Sequence, residues 1–302
     1  MPSIVTHCIF ALDTYKKMDN PNLDKMSYYL FNQSHDFLFY NFHKEIRNNG
    51  HLAHNNKTQE FILNIIKYIL EYNLESNKQV ISYLYGCLSH YVLDYTTHPY
   101  IFYLSGIYDK NKKDTYKYKG MHTDVEKNID AIYYKMVFSK EYKYSNISKE
   151  IIKSQKFSDD LKKLIKYVYK KTYKLDNMDV YYENSINDAK LVFKVVCNDT
   201  FGIKKLFYPK YLKAYSNHII KPKFEYLNTK HSTWVNPCKK ELVSNESFDD
   251  LYSKAVKEYL KIIKELNKII FKTKDISKAY EIIPDVSYLT GFNNEKMKYF
   301  KN

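Results

Sequence analysis

The segment His90-Tyr-Val-Leu-Asp94-Tyr-Thr-Thr-His98-Pro99 sets three metal-ligand side chains one helical turn apart. Residues four apart on an α-helix lie one above the other, so the spacing makes sense on a helix and on little else. His122-Thr-Asp-Val-Glu126 repeats the pair after a polar loop. Neutral imidazole and carboxylate are the ligands of catalytic zinc and of mixed divalent sites. A single such pair is more often a surface contact or a satisfied core histidine; two pairs joined by His98 exceed that expectation.

The rest of the sequence agrees with a helical chain. Apolar residues recur at helical spacing, while alternating strand patterns and hairpin turns are scarce. The periodicity predicts helices at 57–74, 77–97, 121–138, 147–155, 158–175, 178–201 and 247–270, with a loop at 103–120. Cap signals are Asn56 with Gln59, Ser76 with Gln79, and Ser247 with Asp250; Pro99 is expected to end the second helix. The fold class is all-α. One domain is expected over residues 1–302, with a metal-ligand core inside 1–140 and C-terminal helices from 247. Residues 221–246 are irregular, and Trp234 and Pro237 mark them as a packed loop.

Composition narrows the function classes. With 44% hydrophobic residues, 6 Gly and 7 Pro the chain is globular, and no apolar run is long enough to span a membrane. Four scattered cysteines form no CxxC pair, so small buried hydrophobes in a reducing compartment are expected. The Met1–His7 stretch has neither a basic nor an apolar leader region, which makes the cytoplasm the default location. A net charge of +14 invites a nucleic-acid partner, yet the lysines are spread over helical faces and no Arg-rich stripe forms. The basic run 149–175 is either a peripheral contact with anionic membrane or a solvated helix face, the commoner outcome.

Further ligand-type residues lie upstream: His7 near the chain start, Asp36 among aromatics, and His54 just before a helix cap. His51 competes with His54, which is favoured for its place beside the cap. No GxSxG elbow, P-loop or GxGxxG competes with this constellation.

In the ordered run from Thr6-His7 through Phe37-Leu38-Phe39-Tyr40 and Tyr85-Gly86-x3-His90-x3-Asp94-x3-His98-Pro99 to His122-x3-Glu126, the chain resembles the zinc-dependent phospholipase C family. Its wider superfamily includes the P1-type nucleases. The resemblance implies a helical fold around two to three zinc ions. Asp36, His54, His90 and Asp94 would hold one, with Asp94 bridging to another; His98, His122 and Glu126 would hold a second. His7 would bind a third with the amine and carbonyl of the chain terminus, and Asp36 would also serve as general base. Trp234-Val-Asn-Pro237 and Ser287-Tyr288-Leu289-Thr290-Gly291 look typical of the family without evident chemistry. Tyr40, Tyr91 and Phe39 would line a substrate pocket or pack the core.

The activity this implies is phosphodiester hydrolysis on phospholipid headgroups. The alternatives are a nuclease or nucleotidase on the same scaffold, or a metal-stabilised helical binding protein with little turnover.

Overall fold

The computed structural model describes residues 4–19, 21–153, 155–209, 213, 215–293 and 295–301. The chain is all-α: its only ladder among the described residues is a two-residue antiparallel pair, Trp234–Val235 with Val243–Ser244. The helices are α1 (Ile4–Lys17), α2 (Lys25–Phe31), α3 (Lys44–Asn55), α4 (Thr58–Glu71), α5 (Lys78–Ser105) and α6 (Met121–Phe138). They continue with α7 (Ile147–Glu150), α8 (Asp159–Tyr173), α9 (Met178–Val192), α10 (Ile203–Phe207), α11 (Phe248–Lys268) and α12 (Ser277–Ile282).

Helix α5 is the axis. It has 28 residues, about 42 Å at the α-helical rise. It packs against α1, α2, α4, α6, α8 and α11. From Val80 to Asp94 every residue is buried, so the helix has no solvent face there. His90, Asp94 and His98 are therefore carried into the interior. One continuous apolar cluster surrounds them, running from Ile4 on α1 to Tyr288 near the C-terminus.

Two glycines mark where backbones come close. At Gly86 an added Cβ would sit 2.6 Å from the Phe31 carbonyl carbon, where α2 lies against α5. Beside this contact the Asn32 side chain donates to Ser89 Oγ at 2.5 Å. Gly291, at φ +67°, would bring a Cβ to 3.0 Å from the Tyr95 carbonyl. That carbonyl is the one that Pro99, lacking an N–H, leaves without its helical donor.

Pro99 does not end the helix as expected: α5 continues to Ser105 and shortens the following loop. Burial of Thr97–Ile101 outweighs one lost hydrogen bond. The cap of α5 is Asn77, whose side chain accepts from the N–H groups of Gln79 and Val80, one residue beyond the expected Ser76. The Asn56 cap also fails. Lys57, in the left-handed region, precedes α4, while the Asn56 N–H and side chain both return to Leu52 O at the end of α3.

The capping box Ser247–Asp250 forms as expected on α11. The segment 147–155 yields only the short α7, and α9 gives way to a π-turn over Phe193–Cys197. Helices α1, α2 and α3 were not foreseen.

Basic residues of 158–175 occupy the outer side of α8, whose apolar side (Leu161, Leu164, Ile165, Val168, Tyr169) is buried against α4, α5 and α9. The apolar side chains of α8 thus face the interior while its lysines face solvent. In the irregular 221–246 stretch, Trp234 is buried against Tyr100 and Tyr103 and donates to Glu246 O. All four cysteines are free and buried. No described helix is long and apolar enough to cross a membrane.

Because the group facing Gly86 is backbone and cannot rotate away, Gly86→Ala should cost about 1–3 kcal/mol. Urea unfolding of the variant beside the parent would read this; an unchanged midpoint would mean that α2 and α5 do not meet this closely.

Candidate metal centre

Five elements converge on the middle of α5. Helix α1 brings His7 in its first turns; the 3-10 turn Ser34–Tyr40 brings His35 and Asp36; the last turn of α3 brings His54. Helix α5 contributes His90, Asp94 and His98, and the start of α6 contributes His122 and Glu126. All of these are buried except His122, whose side chain is 26% exposed. His122 is thus the outermost member.

The ligand-type atoms fall into three groups: His35, His54 and His90; His7, Asp36, His90 and Asp94; and His98, His122 and Glu126. His54 Nε2 lies 2.8 Å from Asp36 Oδ1, while His51 is exposed and stacks on Phe39. Of the two competing histidines, His54 is the one brought to the cluster. His90 Nε2 stands 3.5 Å from Asp36 Oδ2 and 3.2 Å from Asp94 Oδ2. The other oxygen of Asp94 faces His7 Nε2 at 3.0 Å. Glu126 Oε1 is faced by His122 Nε2 at 3.2 Å and His98 Nε2 at 3.4 Å. Residues 1–3, expected to bring the terminal amine, lie outside the described residues.

The hydrogen bonds decide which nitrogens point inward bare. His54 Nδ1 donates to Gly50 O at 2.8 Å, and His98 Nδ1 donates to Tyr288 O at 2.9 Å. The 3.7 Å approach of Asp94 to the same His98 nitrogen is too long to compete. With Nδ1 turned to a backbone carbonyl, the Nε2 of each ring is the atom that faces a carboxylate oxygen, Asp36 for His54 and Glu126 for His98. It offers a lone pair there when the ring is neutral, as a metal ligand must be. Both Asp36 oxygens lack a hydrogen-bond donor.

His90 Nε2, Asp94 Oδ2 and Glu126 Oε2 are likewise without hydrogen-bond partners. Buried acceptors that meet without a proton between them call for a cation. Tetrahedral ligands about 2.0–2.1 Å from zinc lie roughly 3.3 Å apart, and the contacts here span 2.8–3.5 Å. The donor set and its spacing fit zinc. Between His7, Asp94, His98 and Glu126 a cavity of about 10 Å³ remains, the size of one water or small ion.

The electrostatics run the same way. Burial would raise the Glu126 carboxyl, but His122 and His98 hold it well below the usual range. Burial drives His90 far down, helped by the neighbouring imidazoles His7 and His35, so it is neutral and able to ligate. Burial raises Asp36, with Asp94 adding to the rise against the opposing pull of His54. His98 and His7 are raised: burial opposes their charge, yet Asp94 draws a proton to both, and Glu126 adds to the draw at His98.

Three contributors escaped sequence reasoning. His35 is buried with its ring edge-on to His54 at 4.4 Å, and its Nε2 has no hydrogen-bond partner. Tyr288 was expected to carry no chemistry, but its carbonyl orients His98 and its N–H donates to His54 O. Its ring also packs on His35, His54 and Tyr91. No spacing signal could reveal a partner 190 residues from His98. The third is Asp130, whose Oδ1 accepts the N–H and the hydroxyl of Thr6, both at 2.9 Å, and so seats His7. Here a signal existed: Asp130 extends the four-residue spacing of His122 and Glu126. Of the proposed pocket aromatics, Tyr40 and Tyr91 are buried in the core, and Tyr91 donates to Pro284 O.

Fold and site together define a helical protein whose buried histidine and carboxylate groups are compatible with zinc. The family model for zinc-dependent phospholipase C matches residues 3–178, more than half of the chain. The chain belongs to that family, and is a zinc-dependent, phospholipase C-like hydrolase at family level. No curated protein and no solved structure matches it.

The raised His98 has a measurable consequence. Its folded pKa of about 9 lies above the ordinary 6.5. In metal-free protein its stabilisation is complete below pH 6.5 and disappears as pH climbs through 9. The thermal midpoint of chelator-treated protein should fall over that window, and His98→Gln should flatten the slope. Equal slopes for the two would remove His98 as its source.

Proposed function

We propose that the chain cleaves phosphodiesters of phospholipid headgroups with two to three zinc ions. The carrying observation is the Nε2 of His54 and of His98 each facing a buried carboxylate in the interior while its Nδ1 is bound to a backbone carbonyl. Asp36, His54, His90 and Asp94 would hold one ion; His98, His122 and Glu126 would hold a second. His7 would hold a third with Asp94, whose two oxygens face different imidazoles. Bound zinc supplies Lewis acidity and a water acidic enough to attack at neutral pH.

The chain's own groups do the rest. Gly50 O and Tyr288 O fix the two imidazole rings by taking their Nδ1 protons, as outer partners of metal ligands do. Asp36 would act as the base, accepting a proton from the attacking water at a carboxylate oxygen. Burial raises its proton affinity, the direction that base catalysis near neutrality requires. Asp36, Asp94 and Glu126 offset only part of the charge of the metals. The centre thus attracts an anionic phosphate, which enters beside the partly exposed His122.

Metal analysis by mass spectrometry should give two to three zinc ions per chain, and phosphatidylcholine should release its phosphorylated headgroup unless chelator is added. Fully metallated protein that leaves phospholipid intact but cuts single-stranded nucleic acid would favour the nuclease alternative. Glu126→Gln should remove about one zinc and lower activity by at least roughly 100-fold, the upper end of the cost of losing an outer partner. A variant that merely unfolds, from a parent with no turnover on either substrate, would instead indicate a metal-stabilised binding protein.

A further inference from the structure

The chain buries most of its large apolar side chains, yet one short stretch leaves several in water. Phe201 is 83% exposed, Leu206 77% and Phe207 82%, with Ile203 and Ile220 also exposed nearby. They sit on and beside α10, at the tip of a loop that follows the π-turn after α9.

This tip is built, not loose. The buried Asp199 accepts the N–H groups of Lys204 and Lys205 and the Ser216 hydroxyl. Asn217 ties the two sides of the base: its side-chain oxygen accepts the Asp199 N–H, and its own N–H donates to Cys197 O. His218 Nδ1 donates to Thr200 O at 2.9 Å. The base is thus held by polar contacts while the apolar side chains project outward.

Charge accompanies the apolar tip. Between Leu191 and Lys223 the sequence has seven lysines and a single acid, Asp199. Lys204 Nζ donates to Val195 O and Asn198 O, and Lys205 Nζ to His218 O. Carbonyl oxygens position these ammonium groups without cancelling their charge. Lys223 is the exception, paired with Asp124 at 2.7 Å.

The position of the tip relates it to the metal centre. A cavity of about 560 Å³ is lined on one side by Lys205, Lys213, His218 and Ile220, and on the other by Gly120 and Met121. Gly120 and Met121 open α6, whose next residue is His122, the outermost member of the metal cluster. Exposed aromatic and aliphatic side chains in a lysine-rich segment are the composition of a surface that enters the headgroup boundary of an anionic bilayer.

We propose that the α10 tip docks the protein on anionic phospholipid bilayers, with Phe201, Leu206 and Phe207 inserted and the flanking lysines on the headgroups. The surface deepens the phospholipid reading of the metal centre by naming the physical form of the substrate, but its binding is measured apart from turnover.

The test is co-sedimentation of the zinc-loaded full chain with vesicles of phosphatidylcholine alone or with one-third phosphatidylserine. The parent should bind the anionic vesicles at least about tenfold more tightly than the neutral ones, and less tightly as salt rises. The double variant Leu206→Ser, Phe207→Ser should lose at least about tenfold in that binding. It should keep its zinc content and its rate on a short soluble phosphodiester, since neither side chain belongs to the metal centre. Undiminished vesicle binding by the double variant overturns the proposal. So does a parent that ignores both vesicles and instead forms dimers that the substitutions abolish. A parent that binds vesicles through this tip yet cleaves no phosphodiester leaves the docking surface standing and refutes the hydrolase reading alone.

Discussion

Three carboxylates and six imidazoles share the interior of this protein around one turn-spaced stretch of α5. Acidic groups so deep are costly unless each faces a compensating positive charge or a proton. Here Nδ1 of two key imidazoles is turned away, to Gly50 O and Tyr288 O, and each Nε2 faces a carboxylate. The surrounding architecture is arranged around that cluster, a setting compatible with zinc.

That constraint explains why the site draws on elements from both ends of the chain. Helix α5 is sheathed by α1, α2, α4, α6, α8 and α11, so its ligands are shielded from water. Residues 284–288 lie across α4 and α5: Thr58 donates to Val286 O, Tyr91 donates to Pro284 O, and the Tyr288 backbone bonds to both His54 and His98. On the opposite side Asp130 accepts from the first turns of α1 and holds His7 against Asp94. Ligands and the groups that aim them come from different helices, so metal binding and helix packing are coupled.

The ligand pairs of α5 and α6 were legible because helical periodicity projects residues four apart onto one side. The extent of α6, residues 121–138, and the capping box of α11 followed from the same local rules. What was not legible depended on competition between local and tertiary forces. Pro99 carries a strong local stop signal, yet burial of Thr97–Ile101 carries α5 through it, and Gly291 lies beside the Tyr95 carbonyl that Pro99 cannot pair. Asn56 is a good cap by type but is already engaged with the end of α3. The basic run of α8 has the composition of a membrane contact, but its apolar side is taken up by α4, α5 and α9.

By itself the sequence determined that the chain is helical and that His90, Asp94, His98, His122 and Glu126 stand in register, because helix geometry is local and follows from spacing. The identity of the ligand-type side chains determined the chemistry they can support. Only the tertiary structure decided that His54 and not His51 meets Asp36, that His35 joins the cluster, and that Asp94 turns its two oxygens to different histidines. It also decided which imidazole nitrogen is bare, because the carbonyls that take the other proton are set by packing. For His98 that carbonyl lies 190 residues away, beyond the reach of any local rule.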